Sequence, residues 1–130
     1  MANVGIVLIS HSRALAEGAA ELARQMGVGE VAVEAAGGTE DGGLGTSLEL
    51  LESAVREADQ GAGVVLIADL GSSVLTAKTY LEDREDGGEV VLADAPFVEG
   101  AVAAASAAAS GASVTAVTDA AGEAYAFRKT

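Results

Sequence analysis

The sequence contains no cysteine, only one proline and only one histidine, His11. The lack of cysteine excludes a disulfide framework, a thiolate nucleophile and a zinc site built on thiolates. A single histidine with scattered carboxylates makes a poor transition-metal site, so we expect neither a metal nor a bound cofactor. Any imidazole chemistry in this chain therefore depends on His11.

Basic residues are also scarce. Seven Lys and Arg stand against twenty Asp and Glu, which gives a formal net charge of −13. A field of that sign repels phosphate backbones and anionic lipid head groups, so nucleic acids and membrane surfaces are poor partners, whereas a basic protein would be attracted. The apolar runs are too short to span a bilayer. Together with the lack of cysteine, this predicts a cytoplasmic protein.

Several catalytic motifs are missing from the sequence. It has no Gly-x-x-x-x-Gly-Lys-Ser/Thr and no Gly-x-Gly-x-x-Gly after its first apolar run, so it shows no nucleotide cradle of its own. It has no Gly-x-Ser-x-Gly, which argues against a serine hydrolase. Ser10-His11-Ser12 follows the first apolar run, where a phosphoaccepting aspartate site would need acidic residues to hold magnesium. Phosphoryl transfer on histidine is the chemistry that fits best.

Apolar runs alternate with helical patterns along the chain. The runs at 4–9, 30–35, 64–68 and 89–93 are typical of strands buried in a parallel sheet. Helical segments follow them, starting near residues 13, 46, 72 and 96. This order predicts an α/β fold, a doubly wound and mostly parallel four-stranded sheet of order 2-1-3-4 with helices on both faces. We expect residues 1–130 to form a single domain, and the segment after residue 113 carries no clear pattern.

Local signals define the starts and faces of these helices. Thr46 and Glu49 have the spacing of a capping box, and Ser72 or Ser73 is the expected cap of the third helix. The first helix has one apolar stripe that we expect to face the core, namely Leu15, Ala19, Leu22, Ala23 and Met26.

His11 and Asp69 are the strongest candidates for catalytic residues. His11 follows the first strand and Asp69 ends the third, so in a 2-1-3-4 sheet both lie at the same edge, where such folds place their sites. A neutral imidazole can attack phosphorus and give a phosphohistidine. A nearby carboxylate would fix the ring tautomer and stabilise the resulting imidazolium. A purely structural histidine and a helix-capping aspartate remain alternatives.

Two glycine-containing turns are candidates for binding the phosphoryl oxygens. Gly71-Ser72-Ser73 and Gly45-Thr46-Ser47 would present N–H groups and hydroxyls at helix N-termini. The predicted phosphoryl-binding residues are accordingly Ser12, Thr46, Gly71, Ser72 and Ser73. Such turns are also ordinary connections between strands and helices, so each is weak evidence by itself.

Several segments together resemble a known family. Residues 5–12, Gly-Ile-Val-Leu-Ile-Ser-His-Ser, are followed by Leu15-Ala16-Glu17-Gly18, which resembles the start of the mannose-type IIA domains of the bacterial phosphotransferase system. The likeness continues in order to about residue 111, through residues 45–47, 69–76 and 95–100. Within the family, the chain looks most like the phosphotransferase subunit of dihydroxyacetone kinase, because residues 71–74 read Gly-Ser-Ser-Val where the sugar-transport branch has Gly-Gly-Ser-Pro.

The resemblance implies a specific function. His11 matches the phosphorylated histidine of the family, Asp69 its acidic residue and Gly71-Ser72 its glycine-serine turn. Family members are cytoplasmic, usually homodimeric, and accept phosphate from HPr. In the kinase branch the phosphoryl group passes to ADP on a nucleotide-binding subunit, and the ATP formed phosphorylates dihydroxyacetone on another subunit.

Three alternatives remain open at this point. The chain could be the IIA component of a sugar transport system, which would pass its phosphoryl group to a membrane complex. It could be a regulatory module that is read through the phosphorylation of His11. It could also be an interaction domain in which His11 is inert.

Overall fold

A computed structural model describes residues 2–84 and 87–130 of the chain. The predicted domain also includes residues 1, 85 and 86, which lie outside the described residues. The strands are β1 (Gly5–Ser10), β2 (Val33–Gly37), β3 (Val64–Ala68) and β4 (Val90–Leu92). The helices are α1 (Arg13–Met26), α2 (Leu48–Ala58), α3 (Gly71–Asp83), α4 (Phe97–Ala109) and α5 (Val114–Glu123), followed by a short 3₁₀ turn (Ala124–Ala126). None of the helices in these ranges is long and apolar enough to cross a membrane.

The four strands form one parallel sheet in the order β2-β1-β3-β4, which confirms the predicted topology. All six residues of β1 are buried, as a central strand covered on both faces requires. Ile9 pairs with Ala68, so β1 and β3 end at the same level. The Asp69 N–H then donates to the Ile9 carbonyl at 3.2 Å. The residues that follow the two strands are therefore held side by side.

Helices cover both faces of the sheet, as predicted, and each face has its own apolar core. Ile6 and Leu8 point to the face covered by α1, α4 and α5, whereas Val7 and Ile9 point to the face covered by α2 and α3. The alternation follows from the two-residue period of a strand. β1 is thereby anchored on both sides, and its last residues are firmly positioned.

The predicted core face of α1 is partly wrong. Leu15, Leu22 and Met26 are each nearly half exposed, and the buried face consists of alanines, Ala16, Ala19, Ala20 and Ala23. The reason is close packing against β2, since a Cβ on Gly37 would lie 2.8 Å from the Cβ of Ala16. A larger side chain does not fit there, and the leucines lie beside the contact instead.

The bounds of β2 and β4 also differ from the sequence-based expectation, and the segment after residue 113, which carries no clear pattern, is helical. β2 begins at Val33 and continues to Gly37, and β4 has only three residues. The segment after residue 113 forms α5, whose start is capped by Ser113 and whose Val117 is fully buried. Its buried side chains pack on α4, which explains why a segment without a clear sequence pattern forms a helix there.

Both predicted helix caps need correction. The cap of α2 is Ser47 rather than Thr46, because the Ser47 hydroxyl accepts the Leu50 N–H at 3.1 Å. Within the described residues no side chain caps α3, which is preceded by Leu70. Ser72 and Ser73 lie inside the first turn, and their hydroxyls make the contacts described below.

Candidate active site

His11 and Asp69 meet at the carboxyl edge of the sheet, as their positions after β1 and β3 predict. His11 Nδ1 lies 3.5 Å from Asp69 Oδ1. The Asp69 side chain is only 7% exposed, whereas that of His11 is 27% exposed. The carboxylate is thus shielded by protein, and the ring stays accessible from outside.

Ser73 connects the ring to the carboxylate. Its hydroxyl donates to Asp69 Oδ1 at 2.6 Å and lies 3.1 Å from His11 Nδ1. Because its one proton is directed at Asp69, the Ser73 oxygen is left to accept a proton from Nδ1. This network assigns the neutral ring proton to Nδ1, so that the lone pair is on Nε2.

His11 Nε2 faces the first turn of α3. It contacts the hydroxyl of Ser72, the second residue of that helix. The first N–H groups of a helix have no partner within the helix, and the helix dipole makes this end favourable for negative charge. A phosphoryl group on Nε2 would therefore lie beside Gly71 and Ser72, where its oxygens could be bound.

Four donors surround the carboxylate of Asp69. Burial is the largest single influence and acts to raise its pKa. Hydrogen bonds from the Ser73 and Ser10 hydroxyls and from the N–H groups of Leu70 and His11 outweigh it, so the pKa of Asp69 is lowered. Asp69 is consequently ionised at neutral pH and able to stabilise a positive ring.

Sequence reasoning missed Ser10, the last residue of β1. It is fully buried, its hydroxyl donates to Asp69 Oδ2 at 2.8 Å, and it accepts the Ser12 N–H at 3.0 Å. The available signal was a serine in the final position of an otherwise apolar buried strand, since a buried hydroxyl needs partners.

Three of the predicted phosphoryl-binding residues, Ser12, Thr46 and Ser73, are bonded to other groups, and the Ser73 hydroxyl is the one that donates to Asp69. The Ser12 hydroxyl caps α1 by accepting the Leu15 N–H at 3.2 Å. The Thr46 hydroxyl lies 2.6 Å from that of Thr76 in α3. The structure thus brings Ser72 and Ser73 to the ring with Asp69, and it places Gly71 at the exposed first position of α3.

The loop between β2 and α2 supports the backbone of the site. The Gly38 N–H donates to the Ser10 carbonyl at 3.1 Å, and the Gly45 N–H donates to the His11 carbonyl at 3.0 Å. The Thr46–Thr76 hydrogen bond joins the same loop to α3. The residue that carries the ring is thereby held from the β2 side as well as by Asp69.

The His11 side chain is partly exposed at the protein surface. A groove of about 650 Å³ lies between α2 and α3, and its lining does not include the histidine. Residues 2–84 and 87–130 contain no cluster of three or more His, Asp or Glu suited to a metal ion. The geometry is that of a site which a second protein can cover.

Comparisons with known proteins give consistent results. The family model EIIA-man, described as "PTS system fructose IIA component", matches residues 5–118. The chain is 36% identical over 104 residues to the phosphoryl donor subunit DhaM of PEP-dependent dihydroxyacetone kinase 2 from Listeria innocua, with 78% of this chain and 83% of the relative covered. It is 37% identical over 116 residues to DhaM of Escherichia coli, covering 85% of this chain and 25% of that protein.

Solved structures show the same architecture. A crystal structure described as a protein of unknown function superimposes with a TM-score of 0.81 at 34% identity, with 92% of each chain covered. A sigma-54 interaction domain protein from Enterococcus faecalis superimposes with a TM-score of 0.63 at 17% identity, covering 91% of this chain and 87% of the other, which shows a shared fold.

Proposed function

The chain belongs to the mannose-type IIA family of the phosphotransferase system, in its DhaM-like branch, and on this premise we propose that it is a phosphohistidine carrier that serves a dihydroxyacetone kinase. It accepts a phosphoryl group on His11 from HPr. It passes that group to ADP on the nucleotide-binding kinase subunit, and the ATP formed there phosphorylates dihydroxyacetone on a third subunit. It acts in the cytoplasm as a homodimeric phosphotransferase subunit, in which residues 1–130 form one IIA-like domain.

The chemical step is an exchange between two histidines. The lone pair of His11 Nε2 attacks phosphorus, the new N–P bond forms, and the N–P bond of the donor breaks so that its imidazole leaves with the electron pair. His11 keeps its proton on Nδ1 and becomes a phosphorylated imidazolium. In the transfer to ADP, a β-phosphate oxygen of ADP attacks phosphorus and the N–P bond to His11 Nε2 breaks. The His11 imidazole leaves with the electron pair and is neutral again, with its proton on Nδ1.

One observation carries this proposal, the hydrogen-bonded series from His11 Nδ1 through Ser73 to Asp69. It directs the unprotonated Nε2 toward the start of α3 and places an ionised carboxylate behind the ring that becomes positive. Ser72, Gly71 and the free N–H groups of that turn bind the phosphoryl oxygens. Catalysis then rests on positioning and on charge stabilisation.

The surroundings of His11 favour protein partners over a small-molecule substrate. The side chains of Leu44, Leu70 and Leu75 are each more than half exposed. Leu44 precedes the residue whose N–H holds the His11 carbonyl, Leu70 precedes α3, and Leu75 lies one turn beyond Ser72. Apolar side chains beside a polar centre are a surface that docking would cover, and the charge of −13 attracts a basic partner.

The test is intact mass spectrometry of the chain after incubation with phosphoenolpyruvate, enzyme I and HPr. A mass gain of one phosphoryl group that is lost in acid is expected for the wild type and not for His11→Gln. Because His11 is the only histidine, no other imidazole can carry the group. ADP and the nucleotide-binding kinase subunit are then added, and the adduct is expected to disappear as ATP forms.

The possible outcomes separate the proposal from the alternatives. Phosphorylation without transfer to ADP would contradict the kinase role and favour a sugar-transport or regulatory acceptor. A wild-type chain that stays unmodified, with donor proteins shown to be active on another acceptor, would overturn the carrier function itself. Ser106→Ala, at an exposed position of α4, is the control that should behave as the wild type.

A further inference from the structure

Ser10 is a fully buried polar residue, and its hydroxyl joins the residues that follow β1 to Asp69, which follows β3. It receives the Ser12 N–H and donates to Asp69 Oδ2. Because an ionised carboxylate can only accept, the proton of the Ser10 hydroxyl is directed at Asp69 Oδ2. Ser10 has no exposed surface, so bulk water does not compete for these hydrogen bonds.

The two oxygens of Asp69 are held from opposite sides. Oδ2 is bound by β1, through the Ser10 hydroxyl at 2.8 Å and the His11 N–H at 3.3 Å. Oδ1 is bound by the start of α3, through the Ser73 hydroxyl at 2.6 Å and the Leu70 N–H at 2.7 Å. Oδ1 is also the oxygen that lies 3.5 Å from His11 Nδ1. The orientation of the Asp69 carboxylate therefore determines whether a negatively charged oxygen lies next to His11 Nδ1.

We propose that Ser10 is a positioning residue that fixes the orientation of Asp69 and, through Ser73, keeps the proton of His11 on Nδ1. Without the Ser10 hydroxyl, Oδ2 retains only the longer bond from the His11 N–H, so the carboxylate can turn away from Ser73. Ser73 is then free to direct its proton at Nδ1, which moves the ring proton to Nε2 and removes the attacking lone pair. The part of this inference that concerns phosphoryl transfer rests on the proposed function.

The tautomer can be measured without any partner protein. In the chain labelled with ¹⁵N at the imidazole nitrogens, His11 gives the only histidine signals. We expect the neutral wild-type ring to be at least about 90% in the Nδ1–H form, and Ser10→Ala to show a mixture of both tautomers. Ser10→Thr, which keeps the hydroxyl, is expected to restore the wild-type ratio. Ser113→Ala, which removes a serine cap at α5, controls for a general loss of stability.

The rate of phosphorylation by HPr gives a second readout. We expect Ser10→Ala to be slower by about ten- to hundredfold, the effect of losing one hydrogen bond to a charged group, with Ser10→Thr near the wild type. If Ser10→Ala does not fold, Ser10→Cys replaces it, since a thiol has similar volume and donates weakly, and its tautomer ratio should lie between the other two.

A wild-type tautomer ratio in Ser10→Ala, or in the folded Ser10→Cys, overturns the inference, and so does a mixture that Ser10→Thr fails to correct. Failure of the proposed function looks different, because the wild type itself would then gain no phosphoryl group while the tautomer measurement would still report on Ser10.

Discussion

Asp69 Oδ1 lies 3.5 Å from His11 Nδ1, although 58 positions separate the two residues in the chain. The Ser73 hydroxyl bonds to both. This relationship makes the ring and the carboxylate one unit, in which the proton position on His11 depends on the charge of Asp69.

Asp69→Asn should slow phosphorylation of His11 by about 10- to 100-fold, because a neutral amide stabilises the positive ring less than a carboxylate does. The variant should keep the fold, since asparagine has the same shape. Single-turnover phosphorylation by HPr, followed by intact mass, measures the rate. Asp59→Asn, at a surface carboxylate beyond α2, is the matched control. Equal rates for the two variants would contradict the role of Asp69.

Acid should destabilise the wild type more than Asp69→Asn. The pKa of Asp69 is lowered in the folded protein, so its contribution is fully present above the ordinary value of 3.8 and is lost as the pH falls through the lowered value. Glu34, whose pKa is raised by burial and by Glu57, acts with the opposite sign but is common to both proteins. The free energies of unfolding, measured in urea from pH 7 to pH 2, should therefore converge below about pH 4. A constant difference would show that the carboxylate charge does not matter for stability.

Leu75→Ser should raise the KM for phosphorylated HPr by about tenfold and leave kcat nearly unchanged, because it removes exposed apolar surface next to the site without touching the reacting groups. Leu22→Ser is the control, since Leu22 is also partly exposed but lies on α1. Steady-state phosphorylation at varied concentrations of phosphorylated HPr gives KM and kcat for both variants. An effect of equal size in both variants would point to folding rather than docking.

Val28→Gly should stabilise the protein by about 1 kcal/mol. Val28 follows α1 with a φ of +47°, a conformation that costs a residue with a side chain about 1–2 kcal/mol, more than the entropy that glycine loses. The valine is 70% exposed, so little buried contact is given up. Val28→Ala keeps the Cβ and should bring almost no gain. The free energies of unfolding of the wild type and the two variants, measured in denaturant, test this prediction. A Val28→Gly variant that is less stable than the wild type would show that the backbone at Val28 is not strained.

Much of the fold follows from local sequence patterns. Continuous apolar runs predict β1 and β3 because strands of a parallel sheet are buried on both faces. The alternation with helices predicts a parallel sheet, and the structure confirms the predicted order β2-β1-β3-β4. The proximity of His11 and Asp69 follows in turn, since β1 and β3 are neighbours and end together. The alanine face of α1 could not be predicted, because leucines at helical spacing look more apolar than the alanines beside them.

The sequence by itself indicated the order of the elements, the parallel sheet and the edge of the sheet at which the single histidine and Asp69 lie. Only the tertiary structure decided which hydroxyls serve that pair, because a hydrogen bond depends on distances and directions between residues far apart in the chain. Ser73 lies at the ring instead of capping α3, and Ser10 reaches Asp69 from inside the sheet. The positions of residues along the chain predict which side chains lie at the same edge of the sheet. Which hydroxyl donates to which acceptor depends on the three-dimensional packing.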